Sequence, residues 1–392
     1  MFLCYYIQNN DIILDYSIPY WIIVNYIGLY FRKENYIYGE EEEMTGRNPY
    51  AISFGRIPNQ YIRRDVLIYD ILDMLMAEPV MEQAFKLTGI RGTGKTVTMT
   101  AIEKELRNND GWIVIDLKSN AQITENLVAN LYSEVPFLAK YADANLNLSA
   151  FGIGVELKKQ SPMVSIDAAL KALLKEVVRH GKRVLVAIDE VRKTDALLDF
   201  VQEFQILVRE ELPVFLLVAG LYEDIEDIEN TDGLTFFLRA ESYEMLPLNL
   251  DIIRENYKET LNLSKETATE LAKLTKGYAF AYQAFGMYMW ESHKDKITDL
   301  VLAQVDEALA QKVYLKIWGE LKSTDKWYLG FIVKKESMSV DELLSITGKK
   351  HNEWSEPRKR LIEKGILDGR ERGKISLKLP RFMEFVERMQ SD

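Results

Sequence analysis

The stretch TGIRGTGKTVTM, Thr88 to Met99, constrains this chain more than any other. It meets the pattern G-x-x-x-x-G-K-T through Gly89, Gly94, Lys95 and Thr96, which average residue usage gives by chance in roughly one chain of this length in a hundred. QAFKLT before it alternates like a short strand, and KTVTMTAIEKELRNN after it sets Val97, Met99, Ile102 and Leu106 on one helical face. A strand, a glycine loop and a helix form a phosphate cradle. The amides of residues 91–96 are expected to converge on a β-phosphate, with the positive end of the helix behind them. Gly89, Ile90, Arg91, Gly92, Thr93, Gly94, Lys95, Thr96 and Val97 are therefore the expected nucleotide contacts. Lys95 reaches the β- and γ-oxygens, and the Thr96 hydroxyl joins a Mg²⁺ shell that otherwise keeps its waters.

Such a loop needs an acidic group on a neighbouring strand. RVLVAIDEV supplies it: Arg183 to Ile188 is an apolar run ending in Asp189 and Glu190, as in buried parallel strands. Asp189 is expected to hold the Mg²⁺ shell and Glu190 to polarise the attacking water. WIVIDL (112–117), VFLLVAG (214–220) and ESYEMLPL (241–248) read as further strands. They give a five-stranded, mostly parallel sheet. The helical patterns SIDAALKALLKEVVRHG and DALLDFVQEFQILVREEL alternate with them and cover both faces. Residues 148–162 read as a hairpin with no chemistry assigned.

At 392 residues and 47% hydrophobic content the chain suits two or three domains. A net charge of −11 argues against a surface coated in nucleic acid, though not against a local basic patch. Cys4 is the only cysteine, which excludes internal disulfides and thiolate metal cages and fits a reducing, cytoplasmic setting. His180, His293 and His351 lack ligand spacing. Residues 1–43 differ from the rest: Tyr, Ile and Asn supply 20 of the first 39 positions, and GEEEEM follows. Pro19 and Asn25 interrupt the apolar run 16–31, which is too short to span a membrane. We read this extension as translated upstream sequence, with Met44 as the native start, and an arm packing on the body as the alternative.

The phosphate loop, the Asp-Glu strand end, NPYAISFGRIPNQYIRRDVL before the loop, TFFLRAESYEMLPL and TKGYAFAYQAFGMYMW together resemble the AAA+ and STAND-like ATPases, especially the bacterial and archaeal branch near origin-recognition ATPases, over about residues 47–390. The resemblance implies a P-loop NTPase α/β fold with Walker A and B elements, a helical lid, ATP rather than GTP, and Mg²⁺. It implies nucleotide contacts from Arg64 and Tyr278, although Arg63 stands where the family has glycine and Ala279 replaces a lid proline. It also implies a polar residue at the tip of the fourth strand, where this chain reads Val218-Ala219-Gly220. Arg239 is the candidate for a charge on the γ-phosphate, within the subunit or across a nucleotide-dependent homo-oligomer interface; pairing with Glu241 is the alternative. The expected activity is weak ATP hydrolysis to ADP and phosphate, with Glu190, Lys95 and Arg239 in catalytic roles.

The chain divides as an extension (1–43), a nucleotide-binding domain (44–249), a helical lid (250–322) and a tail (323–392). In the lid, Phe280, Tyr282, Phe285, Tyr288 and Trp290 form an aromatic stripe read as core. The tail reads as three helices and a two-stranded wing, with Ser339-x-x-Glu342 as a capping signature and Gly348 as the turn. It resembles a winged helix-turn-helix domain. Between Lys349 and Arg381 there are eleven Lys or Arg against five Asp or Glu. Lys349, Lys350, Arg358, Arg370, Arg372 and Lys374 are the candidate phosphate contacts to double-stranded DNA. The helix after Gly348 is the expected recognition helix, and Pro357 requires it to start near Glu353 or to kink. The rival reading is a signalling switch whose lid and tail bind a protein partner, and a third is an ATP-binding scaffold without turnover.

Overall fold

The structure is a computed structural model that describes residues 5–8, 11–14, 46–53, 58–119, 122–146, 148, 151, 165–335 and 337–391. The chain forms two compact units, Met1–Gly46 and Arg47–Asp392. In the first, β1 (Tyr5–Gln8) and β2 (Asp11–Leu14) pair antiparallel. Most of residues 1–43 and most of the expected hairpin at 148–162 lie outside the described residues.

The second unit is built on five strands: β3 (Ala84–Thr88), β4 (Trp112–Lys118), β5 (Arg183–Asp189), β6 (Val214–Gly220) and β7 (Glu241–Glu244). They lie in the order β4-β5-β6-β3-β7, and all four pairings are parallel. The apolar runs of β5 and β6 follow from cover on both sides. Val184, Val186 and Ile188 pack with the helices Ile123–Glu134, Ile166–Arg179 and Asp195–Arg209, while Leu185 and Ala187 face Asp65–Met76 and Lys95–Arg107. Alternate residues thus feed two cores, as the two-residue repeat of a strand requires.

The strand expected over 241–248 stops at Glu244. β3, its only neighbour, ends at Thr88; Met245 N donates to Thr88 O (2.8 Å), and Leu246 N then turns back to Glu244 O (2.9 Å). The topology has one consequence for function. The chain leaves β3 and enters β4 at the far edge, so β3 and β5 flank β6 and their carboxyl ends meet at its tip. Ligands of open α/β sheets gather at such a switch point.

Residues 250–320 are helical apart from short turns, with helices Leu250–Thr260, Lys265–Thr275, Ala279–Ser292 and Asp299–Leu309, a π turn Ala310–Tyr314, and Leu315–Glu320. The helix before Gly277 ends with Lys276 and Gly277 both at positive φ (49° and 74°). A Cβ at Gly277 would lie 2.6 Å from Leu248 O, so the stop is also a close approach.

The tail contains helices Ser323–Ile332, Val340–Thr347, His351–Glu363 and Phe382–Ser391, with β8 (Ser337–Ser339) antiparallel to β9 (Lys374–Ser376). Three helices and a two-stranded antiparallel pair are thus followed by one further helix. Ser339 Oγ accepts from Glu342 N (3.0 Å). The helix containing Pro357 starts at His351, two residues before Glu353, because the Glu353 carboxylate accepts from Lys350 N (3.1 Å). Pro357 therefore sits inside the helix, on its buried side. Lid and tail share one apolar core: Tyr314 packs edge-on against Phe382 and Phe385, with centroids 5.0 and 5.5 Å apart.

Candidate functional site

The loop from Gly89 leads off β3 into the helix Lys95–Arg107 with Gly92 at φ 74° and Gly94 at φ 91°, conformations that glycine adopts without a Cβ penalty. Side chains grip the loop from several directions. Thr93 Oγ1 donates to Ile90 O (2.8 Å), and Arg64 Nη2 donates to Thr93 O (3.2 Å). From the lid, the Tyr278 hydroxyl donates to Arg91 O and Phe280 N donates to Gly92 O (3.0 Å). Lys95 Nζ donates to Gly89 O and Ile90 O (2.8 and 3.0 Å).

Across the tip of β6, Thr96 Oγ1 donates to Asp189 Oδ2 (2.5 Å), and Asp189 Oδ1 accepts from Glu190 N (2.8 Å). The pair is 93 residues apart in sequence. Glu190 is exposed and held at φ 51°, a conformation that costs a side-chain-bearing residue about 1 kcal/mol and persists where the surroundings enforce it. Here Val191 N, bonded to Ala219 O (2.9 Å), pins the next residue to β6.

A cavity of about 430 Å³ opens over this junction. Arg64, Arg91 to Val97, Asp189 and Glu190 line it from the core, and Ala279, Phe280, Tyr282 and Gln283 from the lid. Ile52, Pro58, Tyr61 and Ile62 add apolar lining. The cavity thus offers cations to an anion and apolar surface to a flat group. Burial lowers the Lys95 ammonium to about 8, an effect Arg91 reinforces and Asp189 opposes. Burial likewise lowers Arg64 to about 10. Both cations line the cavity, and an anion there would offset the cost of burying them.

Not every expected contact lines the cavity. Gly89 and Ile90 are not among its lining residues. Tyr278, 6% exposed, stands behind the loop, because its hydroxyl reaches the outer side of Arg91 and Gly92; it shapes the site without touching its space. Arg239 is exposed at the end of the helix Thr235–Arg239, outside the cavity and without an ion pair to Glu241 or any other described residue. In this structure it does not act on its own subunit's site. Phe280 and Tyr282 belong both to the core and to the cavity wall.

Sequence reasoning missed Arg192, Asp224 and Lys312, all of which line the cavity. Asp224 lies four residues beyond β6, in the first turn of Tyr222–Glu229, so the tip that reads Val218-Ala219-Gly220 is followed by a carboxylate. Burial raises its pKa, and Arg192 and Arg91 oppose the shift.

The six basic tail residues split into two groups. Lys349 and Lys350 precede the helix His351–Glu363, with Arg358 inside it; Arg370 and Arg372 lie in the turn before β9, and Lys374 is the first residue of β9. Lys349 pairs with Glu353 (2.8 Å), Arg370 with Asp368, and Lys374 with Glu371 (2.8 Å). Such exposed pairs are weak and exchange readily. The same helix also docks on the core: Lys364 Nζ bonds Glu223 (2.9 Å) and lies 3.5 Å from Glu320, and Lys359 lies 3.9 Å from Glu226. Next to Lys364, Gly365 (φ 66°) presses on the phosphate loop, where an added Cβ would lie 2.3 Å from Ile90 Cγ2. Arg91 Nη2 approaches Glu320 at 3.7 Å. The tail therefore touches the phosphate loop at Ile90.

A family model described as a domain of unknown function (DUF8462) matches residues 311–386, from the π turn to the last helix. No curated protein matches the sequence. Among solved structures, the chain is similar to the ORC2 protein of Aeropyrum pernix in ADPNP–ADP complexes, at 17% identity and TM-score 0.50, covering 87% of this chain and 97% of that one. It is also similar to Cdc6p of Pyrobaculum aerophilum (14% identity, 87% and 97% covered, TM-score 0.42) and to AMPPCP-bound DnaA of Aquifex aeolicus (17%, 80% and 81%, 0.38). The likeness is one of fold. Among the described residues no helix is long and apolar enough to cross a membrane.

Proposed function

From an AAA+ fold shared with an archaeal origin-recognition protein, we propose that this chain binds ATP with Mg²⁺ and hydrolyses it slowly, and that the nucleotide state is passed to the tail. The observation that carries the reading is the Thr96–Asp189 hydrogen bond (2.5 Å) at the mouth of the glycine loop. A hydroxyl and one carboxylate suit Mg²⁺, which keeps several waters and takes its other ligands from phosphates. Among the described residues no cluster of three or more His, Cys, Asp or Glu offers a metal an alternative cage. When bound, the ion would neutralise phosphate charge.

The protein groups have distinct tasks. Lys95 exchanges the carbonyls of Gly89 and Ile90 for phosphate oxygens, and Arg64 adds a second cation. Glu190 orients and polarises the attacking water. The strand tip Val218-Ala219-Gly220 lacks the polar residue that the resemblance implies, and this favours slow turnover; Asp224 lies four residues beyond it, on the following helix. Arg239, outside its own cavity, is available to a neighbouring subunit's nucleotide. Turnover of purified protein tests the scheme: Glu190→Gln should abolish phosphate release and leave ATP binding intact. An unchanged rate would refute it.

The contacts of Gly365 with Ile90, and of Lys364 with Glu223 and Glu320, support coupling, because rearrangement of the loop moves groups that the tail touches. We read the output as DNA binding through the basic residues of the helix start and wing. The full chain should then be retained on duplex DNA, with salt-dependent affinity that differs between ATP and ADP. A protein partner is the second reading. It is favoured by Glu353 and Glu356 on the exposed helix face and by the engagement of Lys359 and Lys364 within the chain. Retention that is absent, or flat as salt rises, selects that reading.

A further inference from the structure

The first helix of the tail, Ser323–Ile332, buries Asp325, Tyr328, Leu329 and Ile332. Helical spacing then sets Lys326, Trp327 and Phe331 on the outward side, with Lys334 just past the helix end. Trp327 is 42% exposed, and its neighbours Tyr328 and Phe331 meet it at 74° and 67°, so neither ring stacks on it. The adjoining rings carry cations. Lys326 Nζ stands over Trp318 (5.1 Å to the centroid) and Lys334 Nζ over Phe331 (5.4 Å).

Charge on this segment is one-sided. From Lys312 to Lys335 six lysines stand against two acids, Glu320 and Asp325. Both acids are engaged inside the protein: Asp325 is 1% exposed and accepts from Arg360 (2.5 and 3.0 Å), and Glu320 lies 3.5 Å from Lys364 and 3.7 Å from Arg91. Lys335 turns to Glu342. Lys326 and Lys334 flank Trp327, on a chain whose net charge is −11.

We propose that this face binds a single-stranded nucleic acid, with an unpaired base stacked on Trp327 and backbone phosphates held by Lys326 and Lys334. Cations alternating with an open aromatic ring fit such a strand. A duplex does not fit Trp327, because the faces of its bases are already covered by their neighbours. A membrane surface asks for a broad apolar face, whereas the rings beside Trp327 lie under ammonium groups. The face is separate from the basic residues of the helix start and wing but adjoins them: Tyr328, beside Trp327, packs on Trp354 of the expected recognition helix (4.7 Å). Neither ATP binding nor duplex binding is needed for it.

Equilibrium binding of fluorescent oligo(dT), oligo(U) and duplex DNA to the full chain, without nucleotide, tests the site. Trp327→Ala should weaken single-strand binding about tenfold, the loss of one stacked base, and leave the duplex unchanged; Trp327→Phe should keep most of the affinity. Lys326→Gln combined with Lys334→Gln should reduce the slope of log affinity against log salt by about 1.4 on single strands, and Lys265→Gln, on the lid, should match the parent protein. Either sugar supports the site, and the tighter arm says whether the strand is DNA or RNA. Unchanged single-strand affinity in Trp327→Ala or an equal loss on the duplex would overturn the assignment. So would a parent protein that binds neither oligonucleotide, or one that takes up phosphatidylserine vesicles through Trp327 instead.

Discussion

Replacing Gly92 by alanine tests the claim that the lid holds the phosphate loop from behind. At φ 74° an alanine pays about 1 kcal/mol in backbone strain. Its Cβ would also stand 2.3 Å from Tyr278 Oη, 2.9 Å from Tyr278 Cζ and 3.1 Å from Phe280 Cβ. The phenol must move, and its buried hydroxyl then leaves Arg91 O, which adds about 1–3 kcal/mol. The expected destabilisation is about 2–4 kcal/mol. Gly94 provides the comparison: at φ 91° it carries similar strain, but its Cβ would meet only Ala279 Cβ, at 3.8 Å, so about 1 kcal/mol is expected. Tyr278→Phe removes both the closest clash and the hydrogen bond. Urea unfolding of Gly92→Ala, Tyr278→Phe and the double variant, without nucleotide, should show the double variant more stable than the sum of the single losses implies, by about 1–2 kcal/mol. Additive losses, or equal costs at Gly92 and Gly94, would refute the contact.

Three other outcomes are expected. Gly365→Ala sets a Cβ against Ile90 Cγ2 and Cδ1 (2.3 and 2.8 Å) and should loosen the tail by about 2 kcal/mol, seen as faster proteolysis near Leu321; adding Ile90→Ala should recover part of the loss. Burial, then Asp116, raises Glu103 to about 7 from an ordinary value near 4.5, so its stabilising contribution is complete below 4.5 and disappears as pH rises through about 7. The shift is worth about 3 kcal/mol, reduced to about 1–2 kcal/mol by solvent near exposed Asp116; Glu103→Gln should therefore be more stable than the parent at pH 8 and similar to it at pH 4, in unfolding measured at both. Glu190→Gly relieves the strain at φ 51° and should raise stability by about 0.5–1 kcal/mol while abolishing phosphate release, read by thermal unfolding and a turnover assay.

Residues close in sequence carried much of the architecture. Val214–Gly220 and Arg183–Asp189 read as buried strands because apolar side chains on both faces are required wherever helices cover a parallel sheet. The glycine loop was equally legible, since its positive φ angles depend on the absence of a Cβ, which is a property of the residue itself. The end of β7 was not, because it is set by the length of β3 rather than by the residues of 241–248. The start of the helix containing Pro357, at His351 and two residues before Glu353, is by contrast set locally, by the Glu353 carboxylate accepting from Lys350 N.

Local chemistry alone thus determined that a phosphate cradle stands on an α/β sheet with an acidic strand end nearby. Strand order decided that Thr96 and Asp189, 93 residues apart, share a hydrogen bond. Packing of lid and tail decided the rest: that Tyr278 stands behind the loop and Arg239 outside the cavity, that Gly365 rests on Ile90, and that Asp224 and Lys312 reach the site. The physical reason is one of range. Propensity, glycine geometry and apolar periodicity act over a few residues, whereas contacts such as Gly365 on Ile90 exist only once a shared core has fixed where distant segments lie.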